Sequence, residues 1–411
     1  MKRNIKNIVA VTAAAALLVS SSPSAFAMPI YNKPVAPPKT TKAEEQKTEK
    51  KLLTIDEAIK SAVNNNLNLK KFEVTRESLL KKIDQNYSQD KSIFELRTWQ
   101  ENNLANLPDG PEKEKAKQQL EQEFNKAMAG SDVVMAQLVN QRGTIDISKV
   151  MEREGVHLSI RRLFTSIMQK EKDIEILGKK IAQDKKNMQL YEKQFELGKI
   201  SQSKLKEQAL ETTKNENLLK IEQGKLQNYY NELENLTQIS SLQSKYTLEK
   251  PSIDYRPIEL SEASQKAQQE RAADYNLQVI SKVADTKIKE SVYQNYPYVA
   301  TESSYVELRD QKDIAQLDES QAKRDAKYNA QVKYNDLQEL QQNILLTEKN
   351  ITKIENQLKD LRSKYDLGLV AKNVVDNSVF ALDEAKNGLD SLKIRHYQLR
   401  IMYENAYFAG Q

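Results

Sequence analysis

The chain of 411 residues contains no cysteine. Disulfides, thiolate metal sites and a lipid-modified N-terminal cysteine are thereby excluded. Stability has to come from packing and self-association. Histidine occurs twice, as His157 and His396, and tryptophan once, as Trp99. Glycine and proline are limited to ten residues each. The sequence has no glycine-rich phosphate loop, no HExxH and no calcium-loop pattern. A lone histidine without a partner does not make a catalytic or metal centre, and Trp99 is read as a packing residue. Acid clusters such as "ELEN" and "DEAK" are what solvated helix faces carry. Neither enzymatic activity nor a cofactor is expected.

Long apolar runs are scarce too. "IVAVTAAAALLVS" (8–20) falls short of the roughly 20 residues that a membrane-spanning helix needs. It follows Lys2, Arg3 and Lys6 and precedes small residues ending at Ala25 and Ala27. This is the pattern of a secretory signal over 1–27, cleaved before Met28. A sustained excess of one charge is also missing. The formal net charge is +5, but the signal holds three cations and no acid. Residues 28–52 add six lysines against three glutamates, leaving the remainder near neutral. A nucleic-acid binder needs a clustered basic patch, so nucleic acid is excluded as a partner.

What remains is a polar chain, 39% hydrophobic and 29% charged. It cannot fill a thick core, but it can fill narrow seams between long helices. Residues 28–52, rich in Pro, Lys and Thr, read as a flexible or extended tether. "LTIDEAIKSAVNNN" opens the helical body. Thr54 and Glu57 have capping-box spacing. Ile55, Ala58, Ile59, Ala62 and Val63 form one apolar stripe, and the asparagines at 64–66 mark a break. A weaker echo spans 258–293. In it Ile258, Leu260, Ala263 and Ala267 answer to Leu53, Ile55, Ala58 and Ala62, and Asn276-Leu277 answers to Asn68-Leu69. "KPSIDYRP" (250–257) has the prolines of a linker. "YPYVATESSYVEL" (296–308) is the one strand-like passage.

A stronger repeat surrounds two hexapeptides, "FELGKI" (195–200) and "YDLGLV" (365–370), whose glycines lie 170 residues apart. Upstream of Gly198, apolar residues recur at Ile174, Leu177, Ile181, Met188, Tyr191 and Phe195. Upstream of Gly368 they recur at Ile344, Ile351, Ile354, Leu358, Leu361 and Tyr365. The two sets superpose without a gap and follow the spacing of a coiled-coil seam, with Asp184 and Thr347 as polar interruptions. Downstream, Leu205, Thr212, Leu219, Leu226 and Leu233 answer to Val375, Leu382, Leu389, His396 and Tyr403, which makes His396 a seam residue. The chain is an internal duplication. Each glycine ends one long helix in the left-handed conformation. The next helix starts from Ser201, Ser203 or Asn373 as cap. A helical arm over 145–197 spans about 80 Å.

The expected fold is all-α, built of duplicated long antiparallel coiled-coil hairpins with at most a vestigial β element. The expected organisation is a signal at 1–27, a tether at 28–52, a first helical repeat at 53–245, a linker at 246–257 and a second helical repeat at 258–411.

Three passages carry a resemblance: "LTIDEAIKSAVNNNLNLK", "LYEKQFELGKISQSKLKEQALETTKNENLLK" and "SKYDLGLVAKNVVDNSVFALDEAKNGL". In order and duplication they resemble the TolC-like outer-membrane efflux protein family over nearly all of 53–409. The resemblance implies a helical tunnel formed by a homotrimer, a passive conduit for efflux or secretion across the cell envelope. It implies that the two turns dock a membrane-fusion adaptor attached to an inner-membrane export pump. The tip residues are then Leu197, Gly198 and Ile200 with Leu367, Gly368, Leu369 and Val370. The family often has an acid after the tip glycine that helps to gate the pore. Asp376 takes that place here, although its counterpart in the first repeat is Lys206. The sequence also departs from the family in its barrel strands, which are missing from the first half and reduced to a remnant around Tyr296–Val306. The expected location is the cell envelope: the outer membrane where the cell has one, otherwise the cell wall. The alternative is an extracytoplasmic coiled-coil scaffold or regulator in contact with the cell wall.

Overall fold

The computed structural model of the chain describes residues 50–299 and 304–411. The signal at 1–27 and the tether as far as residue 49 lie outside the described residues.

The first half begins with strand β1 (Lys51–Leu53) and helix α1 (Ile55–Asn65). Thr54 caps α1 as its spacing requires. Its Oγ1 accepts from the Glu57 amide at 3.2 Å while the Glu57 carboxylate accepts from the Thr54 amide. Asn66 then ends α1 and caps α2 (Leu67–Ala105) through its side chain. After a turn containing Pro108 and Gly110 comes α3 (Pro111–Glu196), then α4 (Gln202–Thr237), the short α5 (Leu242–Lys245) and strand β2 (Tyr246–Leu248). An extended linker leads into the second half. That half holds α6 (Glu262–Asp274), α7 (Leu277–Gln294), α8 (Tyr296–Val299), α9 (Tyr305–Asp366), α10 (Lys372–Glu404) and α11 (Ala406–Ala409).

The all-helical, duplicated architecture is present, and α3 exceeds the arm read from sequence. It has 86 residues, about 130 Å at 1.5 Å per residue. Its first half pairs with α2 and its second half with α4, while α9 pairs with α7 and then α10. Packing therefore runs α2–α3–α7–α9 away from the two glycine turns and α4–α3–α10–α9 toward them. Among the described residues the β element is one parallel pair, β1 on β2, with Leu53 opposite Leu248. It closes over a core where Ala58 and Ile59 of α1 meet Ile160, Leu163 and Phe164 of α3 and Leu233 of α4. The second half buries smaller groups. Ala272, Ala330 and Ala409 meet in one cluster, and Gly410 sits so tightly that an added Cβ would lie 3.0 Å from the Ala272 carbonyl.

Three expectations are corrected. The strand-like passage 296–308 is helical on both sides of residues 300–303, which lie outside the described residues: α8 occupies Tyr296–Val299 and α9 begins at Tyr305. Tyr- and Val-rich segments become strands only against a neighbouring strand, and none packs there among the described residues. The echo register shifts as well. Asn276 caps α7 as Asn66 caps α2, so Ala272, and not Ala267, stands where Ala62 does. Ala272 and Ala62 are buried, whereas Ala263 and Ala267 are exposed. Alanine suits either face of a helix, and it could not fix the register. Trp99 is 61% exposed on α2, not packed.

His396 does occupy the seam. It is fully buried, edge-to-face on Tyr255 of the linker at 5.0 Å between ring centroids, and its Nδ1 has no hydrogen-bond partner. Burial, with the nearby Arg400 guanidinium, pushes the imidazole down to about 4. The unfolded chain then binds a proton that the folded chain refuses between about pH 6.5 and 4. The stability this site contributes is full above pH 6.5 and lost as pH falls toward 4, on the order of 3 kcal/mol. His396→Leu, the residue found at the equivalent Leu226, is expected to flatten urea-unfolding stability over that window relative to the parent. Equal slopes would remove His396 as the cause.

Candidate functional site

The two glycine turns are built alike. In the first, Leu197 ends α3 and Gly198 takes φ +67°. The Gly198 amide donates to the Phe195 carbonyl at 2.8 Å and the Lys199 amide to the Gln194 carbonyl at 2.8 Å. In the second, Gly368 takes φ +72°. Its amide donates to Tyr365 at 2.8 Å, and the Leu369 amide to Lys364 at 2.9 Å. This double bond pattern is the Schellman ending, and it satisfies carbonyls that the last helical turn leaves open. A Cβ at either glycine would meet nothing within 4 Å. The requirement for glycine is conformational, not steric.

Side chains distinguish the turns. Leu197, Leu367 and Leu369 are 69%, 74% and 70% exposed, while Ile200 and Val370 are half-buried. After the first turn, Ser201 Oγ accepts from the Lys204 amide at 3.3 Å. Glu207, 2.9 Å from the Lys204 ammonium, holds that lysine above its ordinary range. After the second turn the cap is Ala371, which offers no side-chain bond. The expected cap Asn373 lies inside α10 instead, with Oδ1 buried and unpartnered. The Leu369-Val370-Ala371 run brings the chain into α10 two residues ahead of that asparagine. Asp376 is half-buried in the second turn of α10, beyond the first turn where the helix dipole acts.

Both turns lie at one end. Gln398 of α10 donates to Thr165 of α3 at 2.8 Å, Asn387 donates to Asp173 at 2.7 Å, Lys172 pairs with Asp390, and Lys180 lies over the Phe380 ring. As α3 descends, α10 ascends, which brings Gly198 and Gly368 close to one level. This interface between hairpins is polar, unlike the seams inside them. No sequence signal marked it, because single polar residues on solvated helices carry no period. Beside the second turn, α9 and α10 leave an open groove of about 380 Å³ lined by Leu358, Arg362, Asp366 and Leu382 among others. Among the described residues, no group of three or more His, Asp or Glu could hold a metal ion, and no helix is long and apolar enough to cross a membrane.

The lateral edges are also apolar in places. On α9, Ile314, Leu317, Tyr328 and Leu346 are exposed on the face opposite the buried Leu337. On α4, Leu210 and Ile221 are exposed opposite Leu226, and on α2 Leu67 and Val74 face outward.

No protein-family model matches the sequence, and no curated protein sequence does either. Solved structures do resemble the fold. A membrane protein from Pseudomonas aeruginosa superposes with a TM-score of 0.59 at 9% identity, over 93% of this chain and 98% of that one. The outer membrane protein VceC from Vibrio cholerae superposes with 0.56 at 13% identity, over 87% and 96%. The CmeC outer membrane channel from Campylobacter jejuni gives 0.50 at 10% identity, over 93% and 94%. The chain has a TolC-like fold. At these identities the TolC-like likeness lies in the helical framework and its duplication, not in shared side chains.

The turn glycines can be checked against glycines inside the TolC-like helices. Gly198→Ala and Gly368→Ala are each expected to lower stability by about 1 kcal/mol, the cost of an L side chain at positive φ. Gly178→Ala in α3 and Gly224→Ala in α4, with open space around both, are expected to raise it by about 0.5–1 kcal/mol. Chemical denaturation of the four variants should give opposite signs for the two pairs.

Proposed function

We propose that the protein is an exported channel component, a passive conduit for efflux or secretion across the cell envelope. In this reading it docks an adaptor through Leu197, Gly198 and Ile200 and through Leu367, Gly368, Leu369 and Val370. The observation that carries the reading is the pair of turns with the same backbone bonding at one end, each holding leucine out into solvent. Leucine held out on a helix reversal buries little surface in the folded chain itself. It gives a partner helix a small, dry surface to approach closely.

In this reading the exposed lateral edges serve self-association. The α9 edge differs from the α2 and α4 edges, and both expose aliphatic side chains. Joining unlike edges is a heterologous contact, which closes into a ring when the rotation allows. A homotrimer is the copy number that the family resemblance implies. An adaptor and an inner-membrane export pump are its implied partners, and the cell envelope is its implied location. Asp376, half-buried just above the second tip, is the gate candidate in this reading.

Leu197→Glu combined with Leu367→Glu places two carboxylates where the partner must dry the contact. The double variant is expected to lose cross-linking to the adaptor while its helical circular dichroism stays that of the parent. Negative-stain images of the protein should show a hollow ring or tube. A monomeric rod under all conditions, or undiminished cross-linking of the double variant, would overturn the proposal and favour the scaffold reading.

A further inference from the structure

The two turns share a backbone but not a charge. Residues 169–220, the tip half of the first hairpin, hold twelve lysines against nine acids. Residues 339–390, the same stretch of the second hairpin at the 170-residue offset, hold seven Lys or Arg against nine acids. The difference is sharpest at the reversals. Each keeps one acid just before its leucine, Glu196 and Asp366. Past it, the first turn has Lys199, Lys204 and Lys206, with no acid before Glu207. The second has Leu369, Val374 and Asp376 at those three places, and Lys372 is the one cation between Gly368 and Asp376. Leu369 and Val374 are 70% and 40% exposed, and the three lysines are exposed as well. Glu207 pairs with Lys204 at 2.9 Å, while Lys193, Lys199 and Lys206 pair with no acid among the described residues. These cations gain nothing from their own helix. The start of α4 is the positive end of its dipole, and no acid stands in its first turn.

We propose, resting on the docking reading above, that the two turns recognise different chemistry. The protein partner sets a carboxylate against the lysines of the first turn, and aliphatic side chains alone against Leu367, Leu369 and Val374 of the second. Lys199 and Leu369 hold the same place on the two reversals and are the specificity-determining pair. At the first turn a partner acid finds an unpaired cation close to the leucine that dries the contact. At the second turn the same acid would be buried against Leu369 without a cation, on a hairpin of net negative charge, which is costly. The partner is thereby held in one orientation across the two turns. Two other occupants fit less well. A copy of this chain packed on a lateral edge covers the sides of the hairpins and leaves their reversals open. A flat anionic membrane would meet both turns at once, since they lie close to one level, and would be attracted by one hairpin and repelled by the other. A protein surface can present different side chains to each.

The chain has no cysteine, so one introduced thiol reports on one turn. Ser203→Cys marks the first and Ser363→Cys the second, and both serines are exposed. The probes are two synthetic helical hairpins of one aliphatic and glutamine sequence. Each has a cysteine at its reversal, flanked in one by glutamates and in the other by lysines. In equilibrium disulfide exchange, Ser203→Cys is expected to trap the glutamate hairpin over the lysine hairpin by about tenfold. That preference should collapse in about 1 M salt and reverse with Lys199→Glu plus Lys206→Glu. Leu197→Ala should lower trapping of the glutamate hairpin severalfold, because charge alone does not hold it. Ser363→Cys should show no glutamate preference, and should gain one with Leu369→Lys. Equal trapping of both hairpins at Ser203→Cys, or a glutamate preference untouched by Leu197→Ala, would overturn the inference and leave the docking reading standing. Trapping of neither hairpin at either turn would overturn it as well. The docking reading falls separately, on undiminished adaptor cross-linking of the leucine double variant. Altered sedimentation of the protein alone with Lys199→Glu plus Lys206→Glu would assign the lysines to contacts between copies. Binding to phosphatidylglycerol vesicles that the same pair abolishes would assign them to a membrane, and either result overturns the inference.

Discussion

Long helices with few apolar residues can bury them only along a narrow seam, and most of this structure follows from the need to pair those seams. In α9 the seam residues Ile344, Ile351 and Leu358 recur every seven positions and are buried against α10. A seam that narrow cannot wrap a third helix, so each chain segment reverses and pairs with its neighbour. The reversals then need a tight helix ending, which is why scarce glycine sits at Gly198 and Gly368. The same constraint leaves edges. A helix pair buries one stripe and leaves others open, and α2, α4 and α9 carry exposed aliphatic residues there.

Polar contacts do a different job. Between the hairpins, Thr165, Gln169, Asp173, Asn387 and Gln398 exchange hydrogen bonds where a seam would have leucines. Such bonds add little net stability, but they accept one alignment and reject slipped ones, since a slip would leave buried partners unpaired. Inside the first hairpin, Asn215 donates to Asp184 at 2.8 Å and both are buried. The second hairpin has Ile354 and Ala385 at the equivalent places. His396 and Leu226 are a further exchanged pair. The repeats thus share a backbone while their seams differ in polarity, which keeps one hairpin from mistaking the other's partner.

The halves also diverge at the end away from the tips. The TolC-like framework is kept there in α3 and α9, but the described elements at that end are helices. The first half invests its length in the α2/α3 hairpin, and the second closes through α7 and α8 onto α3 and α9. The small β1–β2 pair lies elsewhere, beside α1, where it ties the start of the described chain to the end of the first repeat.

The amino-acid order by itself determined the duplication, the 170-residue register, the helix caps at Thr54 and Ser201, the break at the asparagines 64–66, and the glycine turns. These are local matters: a cap, a left-handed residue or a heptad is satisfied within a few positions of itself. Seam burial of His396 was legible for the same reason, through its match to Leu226. Tertiary structure alone decided the rest. It set Ala371 in place of Asn373 at the start of α10, because the conformation of the preceding turn fixes where the helix begins. It made helix of Tyr296–Val299, because a strand needs a neighbour to bond with. It placed Ala272 in the core and Ala267 outside, because alanine carries no preference between faces. It left Trp99 in water, because which face of α2 meets α3 depends on the path that α3 takes back after the turn at Pro108 and Gly110.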